Sequence, residues 1–246
     1  MATFALNFQD LWEIDITPNE AAATWARLGA GISGADPSNN ENVDQTTYLD
    51  GDGYASSQVI GAQRTIAFTG HRVTDNSAQN FIAAISMELG ASRTTSLRVT
   101  EADGSQWGAL HRSGGQGVTV ANIDIGGGDP GAKKEIGFEI HVNGKPYVTP
   151  KAAAAALTAV VAAGTVSGTT KFTATPSGSN TLAYKLTSSP IGTVYGGSYP
   201  SNLIAYTSGT NIPAVAGQSL NAYEIDTNGR VAKFYTKVLA GGDIMP

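Results

Sequence analysis

Residues 134–146 read Lys134-Glu135-Ile136-Gly137-Phe138-Glu139-Ile140-His141-Val142-Asn143-Gly144-Lys145-Pro146. Ile136, Phe138, Ile140 and Val142 alternate with Gly137, Glu139 and His141 without a slip. Successive side chains of a strand point to opposite faces, so a period of two marks a strand with one buried face. Asn143-Gly144 then supplies a turn. Working backwards, Val118, Val120, Ile123 and Ile125 alternate likewise, with one slip at Ala121-Asn122 that reads as a bulge. Leu97 and Val99 alternate with Arg98 and Thr100, and Ala102-Asp103-Gly104-Ser105 turns the chain back through Trp107. Thr65–Arg72 puts Ile66 and Phe68 on one face. One segment departs from this period. From about Asp75 to Leu89, the residues Ala78, Phe81, Ile82, Ile85 and Leu89 recur at helical spacing, with Asp75 placed to cap the helix and Gly90 to stop it. The expected front half is therefore mainly β, a sandwich or barrel with one flanking helix over about 75–89.

Strand patterns continue towards the C-terminus. Thr170–Thr175 is one, and Thr181–Thr187 sets Leu182, Tyr184 and Leu186 against Ala183 and Lys185. Ser219–Ile225 and Val231–Val238 flank Asn228-Gly229, a strong hairpin signal. Several short strands with regular turns in under about 100 residues suggest a small immunoglobulin-like β-sandwich, without the Cys…Trp…Cys signature. Between the halves, Thr149 to Ala156 is Pro- and Ala-rich and reads as a linker. The expected organisation is a domain over 1–148, a linker over 149–156 and a second domain over 157–246.

Charge divides the chain at the same place. Residues 1–150 carry 17 acidic and 9 basic side chains, a net of −8, whereas residues 151–246 carry 3 and 6, a net of +3, and the total is −5. Only 14% of residues are charged and 30 are glycine, a balance that suits β-structure with many turns. Net negative charge argues against binding nucleic acid through its phosphates. With no cysteine, disulfides and thiolate metal sites are excluded. The start of the chain lacks the pattern of a secretory signal, and the mostly alanine run from Ala152 to Ala163 is shorter than the roughly 20 residues of a membrane span. A soluble protein is expected.

Catalytic chemistry finds no constellation here. Nucleophilic catalysis needs a nucleophile, a base and an orienting group, and the three histidines, His71, His111 and His141, are far apart in sequence without a Gly-x-Ser-x-Gly elbow. The histidine spacing gives no zinc site. Asp50-Gly51-Asp52-Gly53 has the acidic turn of a calcium loop but lacks its spacing. The string from Gly126 to Gly131 contains G-x-G-x-x-G, yet a strand pattern follows it where a nucleotide fold needs a helix. No cofactor is expected, and the chain reads as a non-enzyme.

Between Leu28 and Gln63 there is no Lys or Arg, while Asp36, Glu41, Asp44, Asp50 and Asp52 fall within that stretch. Its hydrophobic periodicity is poor. Long loops within compact domains are usually functional or disordered. The stretch reads either as a mobile solvated loop or as one ordered by a partner, with Tyr48 and Tyr54 as anchors. The segment Phe4–Ile16 alternates in part and reads either as an arm that pairs with a neighbour or as a first core strand.

Four segments together resemble a known family: TWARLGAGISGADPSNNENVDQTTYLDGDGY (24–54), IGAQRTIAFTGHR (60–72), NSAQNFIAAISMELG (76–90) and KEIGFEIHVNGKP (134–146). They look like the major tail, or tail tube, protein of long-tailed bacteriophages of Gram-positive hosts. The resemblance covers roughly residues 1–147. It implies a β-sandwich or barrel with one helix, hexameric rings that stack around a tape-measure protein, and a tube that conducts DNA into the host without binding it specifically. It also implies a protein made in the host cytoplasm and incorporated in the virion, and a long loop that reaches a neighbouring ring. Residues 36–58 occupy that loop's place, so Asp44, Tyr48, Asp50, Asp52 and Tyr54 are the interface candidates. Residues 157–246 resemble immunoglobulin-like decorations of tail and surface proteins. A rival role for them is binding cell-wall polysaccharide through Tyr184, Tyr195, Tyr199, Tyr206, Tyr223 and Tyr235, although such residues serve equally as the core and edges of a sandwich.

Overall fold

The computed structural model describes residues 7–112, 114–127 and 129–246. The chain forms two compact units. One comprises Leu11–Val99 with Trp107–Val148; the other comprises Met1–Asp10, Thr100–Gln106 and Thr149–Pro246. They are called here the front and back units.

The front unit contains β1 (Leu11–Asp15), β2 (Trp25–Arg27), β3 (Ile32–Ser38), β4 (Asn42–Thr47), β5 (Ala55–Gly61), β6 (Thr65–His71), α1 (Ser77–Ala84), β7 (Thr94–Thr95), β8 (Leu97–Thr100), β9 (Gln106–Ala109), β10 (Val118–Ile125), β11 (Glu135–Val142) and β12 (Tyr147–Thr149). One sheet has the order β12-β9-β8-β1-β2 and another the order β3-β6-β11-β10-β7; β4 and β5 form a separate pair. The inner faces of the two five-stranded sheets share one core, in which Ile14, Ile66, Leu97, Val118, Ile136 and Ile140 are fully buried. Trp12 meets Phe68 and Trp107 edge-on, and Phe68 stacks on Phe138. Ile136, Phe138, Ile140 and Val142 are all buried, as their period requires. The slip in β10 is a register shift between Ala121 and Asp124, with Asn122 at φ 48°.

The helix is real but shorter than expected. It spans Ser77–Ala84, and its cap is Asn76 rather than Asp75: the Asn76 side-chain oxygen Oδ1 accepts from the Gln79 N–H. Ala78, Ile82 and Ile85 are buried, while Leu89 lies past the helix and is exposed. Helical spacing cannot tell the last helical turn from the turn that follows it. Buried Gln79 seats the helix: its amide donates to Ala30 O and its oxygen accepts from Val73 N.

The back unit contains β13 (Ala155–Ala156), β14 (Val160–Ala163), β15 (Thr169–Thr173), β16 (Thr181–Thr187), β17 (Ile204–Tyr206), β18 (Ile212–Pro213), β19 (Ser219–Ile225) and β20 (Val231–Val238). Its sheets, β13-β20-β19-β16-β17 and β14-β15-β18, enclose a second core around Phe172, Ile212, Leu220, Ala222 and Leu239. The mainly β class with one helix is the class the sequence indicates. Within the segment read as a linker, Ala155 and Ala156 pair in parallel with Lys233 and Phe234 of β20. In the N-terminal segment, Phe4 and Leu6 lie outside the described residues, Phe8 sits in a short 3-10 turn (Asn7–Gln9), and Leu11–Asp15 is a core strand. No helix among the described residues is long and apolar enough to cross a membrane.

Candidate assembly surface

The stretch read as a loop is a hairpin. β3 pairs with β6 and β4 pairs with β5, so residues 32–71 make one long antiparallel ribbon, interrupted at 39–41 and 62–64. Hydrophobic period marks a strand only when one of its faces is buried, and this ribbon's outer half has no buried face. That is why the sequence hides it. From Glu41 to Gln63 every residue except Gly51 is exposed. The register pairs Val43 with Val59, Asp44 with Gln58, Gln45 with Ser57, Thr46 with Ser56 and Thr47 with Ala55, with a shift next to Asn42. Directly opposed residues share a face, so Val43, Gln45, Thr47, Ala55, Ser57 and Val59 form one uncharged face. Asp44, Thr46, Ser56 and Gln58 form the other.

The tip is closed by Tyr54 N–H donating to Gly51 O and Gly51 N–H to Tyr48 O. Asp52 and Gly53 take positive φ there. Of the five interface candidates, Asp44 lies on β4, and Tyr48, Asp50, Asp52 and Tyr54 lie at the tip; the structure brings the four tip residues together. It adds apolar neighbours that sequence reading passed over. Leu49 is 107% exposed, and Val43, Val59 and Ile60 are exposed as well. Their signal was a cluster of branched apolar residues in a stretch without cations. A bare two-stranded hairpin is marginal in water, and this one leaves Val43, Leu49, Val59 and Ile60 exposed.

Asn40 joins the two halves of the ribbon. It takes φ 43°, and its side-chain amide donates to Gln63 O and to Thr65 Oγ1. Gln63 N–H donates across to Asn39 O. Asparagine enters the left-handed region more readily than other residues with a Cβ, and here its amide also ties the strands together.

The root of the ribbon belongs to the sheet β3-β6-β11-β10-β7, whose strands contain no Lys or Arg. Cross-strand pairs Asp36–Ala67, Glu139–Ala67, Glu135–His71 and Asp124–Gly137 lie on the face opposite the core. That face therefore carries Asp36, Asp124, Glu135 and Glu139 among small residues and threonines. His141 Nε2 lies 2.8 Å from Glu139 Oε2. The bond from His141, helped by one from Asn122, holds the Glu139 carboxyl below its ordinary range.

The back unit uses its tyrosines internally. Tyr223 is buried. Tyr206 stacks on Phe172, donates from its hydroxyl to Phe172 O and meets Tyr184 edge-on. Tyr235 packs against the core, Tyr195 lies under the Lys151 ammonium, and Tyr199 meets Phe8 edge-on. These contacts are those of sandwich core and edge residues. An open groove of about 540 Å³ is lined by Leu182, Pro200, Leu203, Ala205 and Ile225, with Thr181 and Thr207 among its polar residues. Among the described residues no group of three or more His, Asp or Glu converges as a metal site.

A family model described as the S-layer protein SbsC C-terminal domain matches residues 162–241. No curated protein matches the chain. Among solved structures, a protein from the tail of an empty gene transfer agent particle with C6 symmetry is 14% identical, covering 60% of this chain and 100% of its own, with a TM-score of 0.46. A tube-terminating cap of the anti-feeding prophage is 9% identical over 61% of this chain and 93% of its own, at 0.40. Domains 7, 8 and 9 of the S-layer protein SbsC are 22% identical over 58% of this chain and 38% of theirs, at 0.35. These likenesses are distant, and their TM-scores are too low to carry function.

Proposed function

We propose that the chain is a structural subunit of a phage-type tail: its front unit builds hexameric rings that stack into a DNA-conducting tube, and residues 157–246 form an outward-facing immunoglobulin-like decoration. The observation that carries this reading is the cation-free sheet face bearing Asp36, Asp124, Glu135 and Glu139. DNA binds wherever cations can displace its counterions. A conduit lined by that face repels the duplex and lets it slide. The uncovered hairpin supplies a second requirement, a surface that is complete only against another subunit, and Asp44, Tyr48, Asp50, Asp52 and Tyr54 lie on it. The partners are further copies of the chain, a tape-measure protein and other tail proteins. The sequence resemblance to tail tube proteins points the same way.

Electron microscopy of the purified protein at high concentration is the test. Rings or tubes of uniform width are the expected result. A persistent monomer, or a lattice with Lys and Arg lining the bore, overturns the reading. The groove beside β17 favours a second, additional role for the back unit as a cell-surface glycan-binding module. Binding of purified cell-wall polysaccharide that is lost in Leu203→Asp would establish it.

A further inference from the structure

The back unit is assembled from separate stretches of chain. Besides Thr149–Pro246 it takes in Thr100–Gln106, the turn between β8 and β9. Arg230, which is 3% exposed, holds that turn in the unit. Its Nη1 donates to Glu101 O at 2.8 Å and to Gly197 O at 2.6 Å, and its Nη2 donates to Thr100 O at 2.9 Å and to Gln9 O. Of these four carbonyls, only that of Gly197 belongs to residues 149–246. A buried charge is tolerated while its polar groups are hydrogen-bonded and is costly once they are not. The planar fork of arginine also fixes where its acceptors must stand, so Arg230 demands residues 9, 100 and 101 at one place.

Further bonds of the same unit seat the turn. Tyr199 N–H donates to Ala102 O at 2.8 Å, and Ala102 N–H donates to Asp10 Oδ1 at 3.1 Å. Gly104 takes φ 91°, and a Cβ there would come within 2.4 Å of Gly196 O. The turn thus lies backbone to backbone on residues 196–199. That segment is tied in its turn to β20: Gly197 N–H donates to Val231 O, and Val231 N–H donates to Ser198 O. Arg230 N–H donates to Asp226 Oδ1, which fixes the root of the arginine between β19 and β20. A continuous run of bonds therefore joins residues 100–104 to the hairpin that carries the core residues Leu220 and Ala222.

We propose that residues 100–106 are a strap that closes the back unit, with Arg230 as its buckle. The strap opens and closes with β19 and β20, not with the strands β8 and β9 that it connects. The back unit is then completed by the front half of the sequence, and residues 157–246 alone are an unfinished sandwich. Elements that open as one cooperative unit exchange their amides together. An ordinary surface turn would open by itself, ahead of both cores.

Native-state hydrogen exchange on the full chain tests the strap. The amides of Ala102 and Tyr199 are expected to show the protection and denaturant dependence of those in β19. Arg230→Lys keeps the charge and loses the fork; it is expected to speed exchange at Ala102, Tyr199 and β19 about tenfold or more, while β10 and β11 stay within about twofold. Gly104→Ala changes only the turn, yet it is expected to give the same pattern on β19, because the added Cβ lifts the strap from Gly196. Loss of protection confined to the turn, with β19 unaffected, would show a passenger loop and overturn the strap. Equal loss in β10 and β11, or no change in β19 from either variant, overturns it too. If Arg230→Lys does not fold, the exchange pattern of the parent chain and of Gly104→Ala decides.

Discussion

Two hairpins of similar length show what the chain spends its residues on. In the back unit, β19 and β20 meet around Asn228-Gly229, and Ser219 to Glu224 are all buried. In the front unit, β4 and β5 meet around Asp50-Gly51-Asp52-Gly53 and bury nothing. The acids follow the same division. Glu224 is buried and takes bonds from Ser177 N, Asn180 Nδ2 and Lys233 Nζ. Asp44, Asp50 and Asp52 stand in solvent. One hairpin completes its own core, and the other leaves both of its faces exposed.

Removing the exposed hairpin is the most severe way to break this comparison. A chain with residues 43–60 replaced by Asn-Gly is expected to lose assembly altogether, read by electron microscopy. Its thermal stability should stay within about 0.5 kcal/mol of the parent, since uncovered surface contributes little. A large loss of stability would show that the hairpin supports its own unit after all.

Single truncations sharpen the contrast. Leu220→Ala on β19 is expected to cost about 2–5 kcal/mol in urea unfolding, the range for a fully buried leucine. Val59→Ala on β5 should cost under about 0.5 kcal/mol in the same assay while weakening assembly. Equal costs at the two sites would remove the distinction.

The two hairpins were also unequally legible in the sequence. Asn228-Gly229 announced its turn because a tight turn needs positive φ, and Gly229 has it at 77°. The alternations at 136–142 and 118–125 were legible because burial on one face writes itself into residue type. The bulge was legible for the same reason, as a break in that alternation. The strands at 42–61 were not, because backbone pairing leaves no hydrophobic trace when both faces stay wet. Tyr48 and Tyr54 were singled out as candidates by residue type, whereas the shared face of Val43 and Val59 and the clamp at Asn40 needed the register. The Asn76 cap lies one residue from the acid that seemed to fill the role, and only the geometry of the Gln79 N–H decides between them.

The acids give a smaller effect that reads out on one side only. Burial pushes the Glu224 carboxyl up, but Lys233, Ser177 and Asn180 outweigh it and hold it at about 2. A group depressed on folding stabilises the protein above its unfolded value and loses that contribution as pH falls towards its folded one. The back unit should therefore lose roughly 3 kcal/mol between about pH 4.5 and pH 2. Glu224→Gln should flatten that part of the profile, as measured by urea unfolding at stepped pH. A profile unchanged by the substitution would mean that the carboxylate network does not hold this hairpin.

A more local effect is expected where the two halves of the front ribbon join. Asn40 contributes there in two ways: its left-handed backbone turns the chain, and its amide donates to Gln63 and Thr65. Glycine keeps the first contribution and loses the second; alanine loses both. Asn40→Ala is expected to cost about 1–2 kcal/mol locally, because alanine holds the left-handed backbone less readily than asparagine and loses both amide bonds, and Asn40→Gly clearly less. Hydrogen exchange resolves the location. Amides of β4 and β5 should exchange faster in Asn40→Ala, while those of β6 and β11 keep their protection. If glycine loosens the hairpin as much as alanine does, the amide bonds to Gln63 and Thr65 rather than the backbone angle set the hairpin's direction.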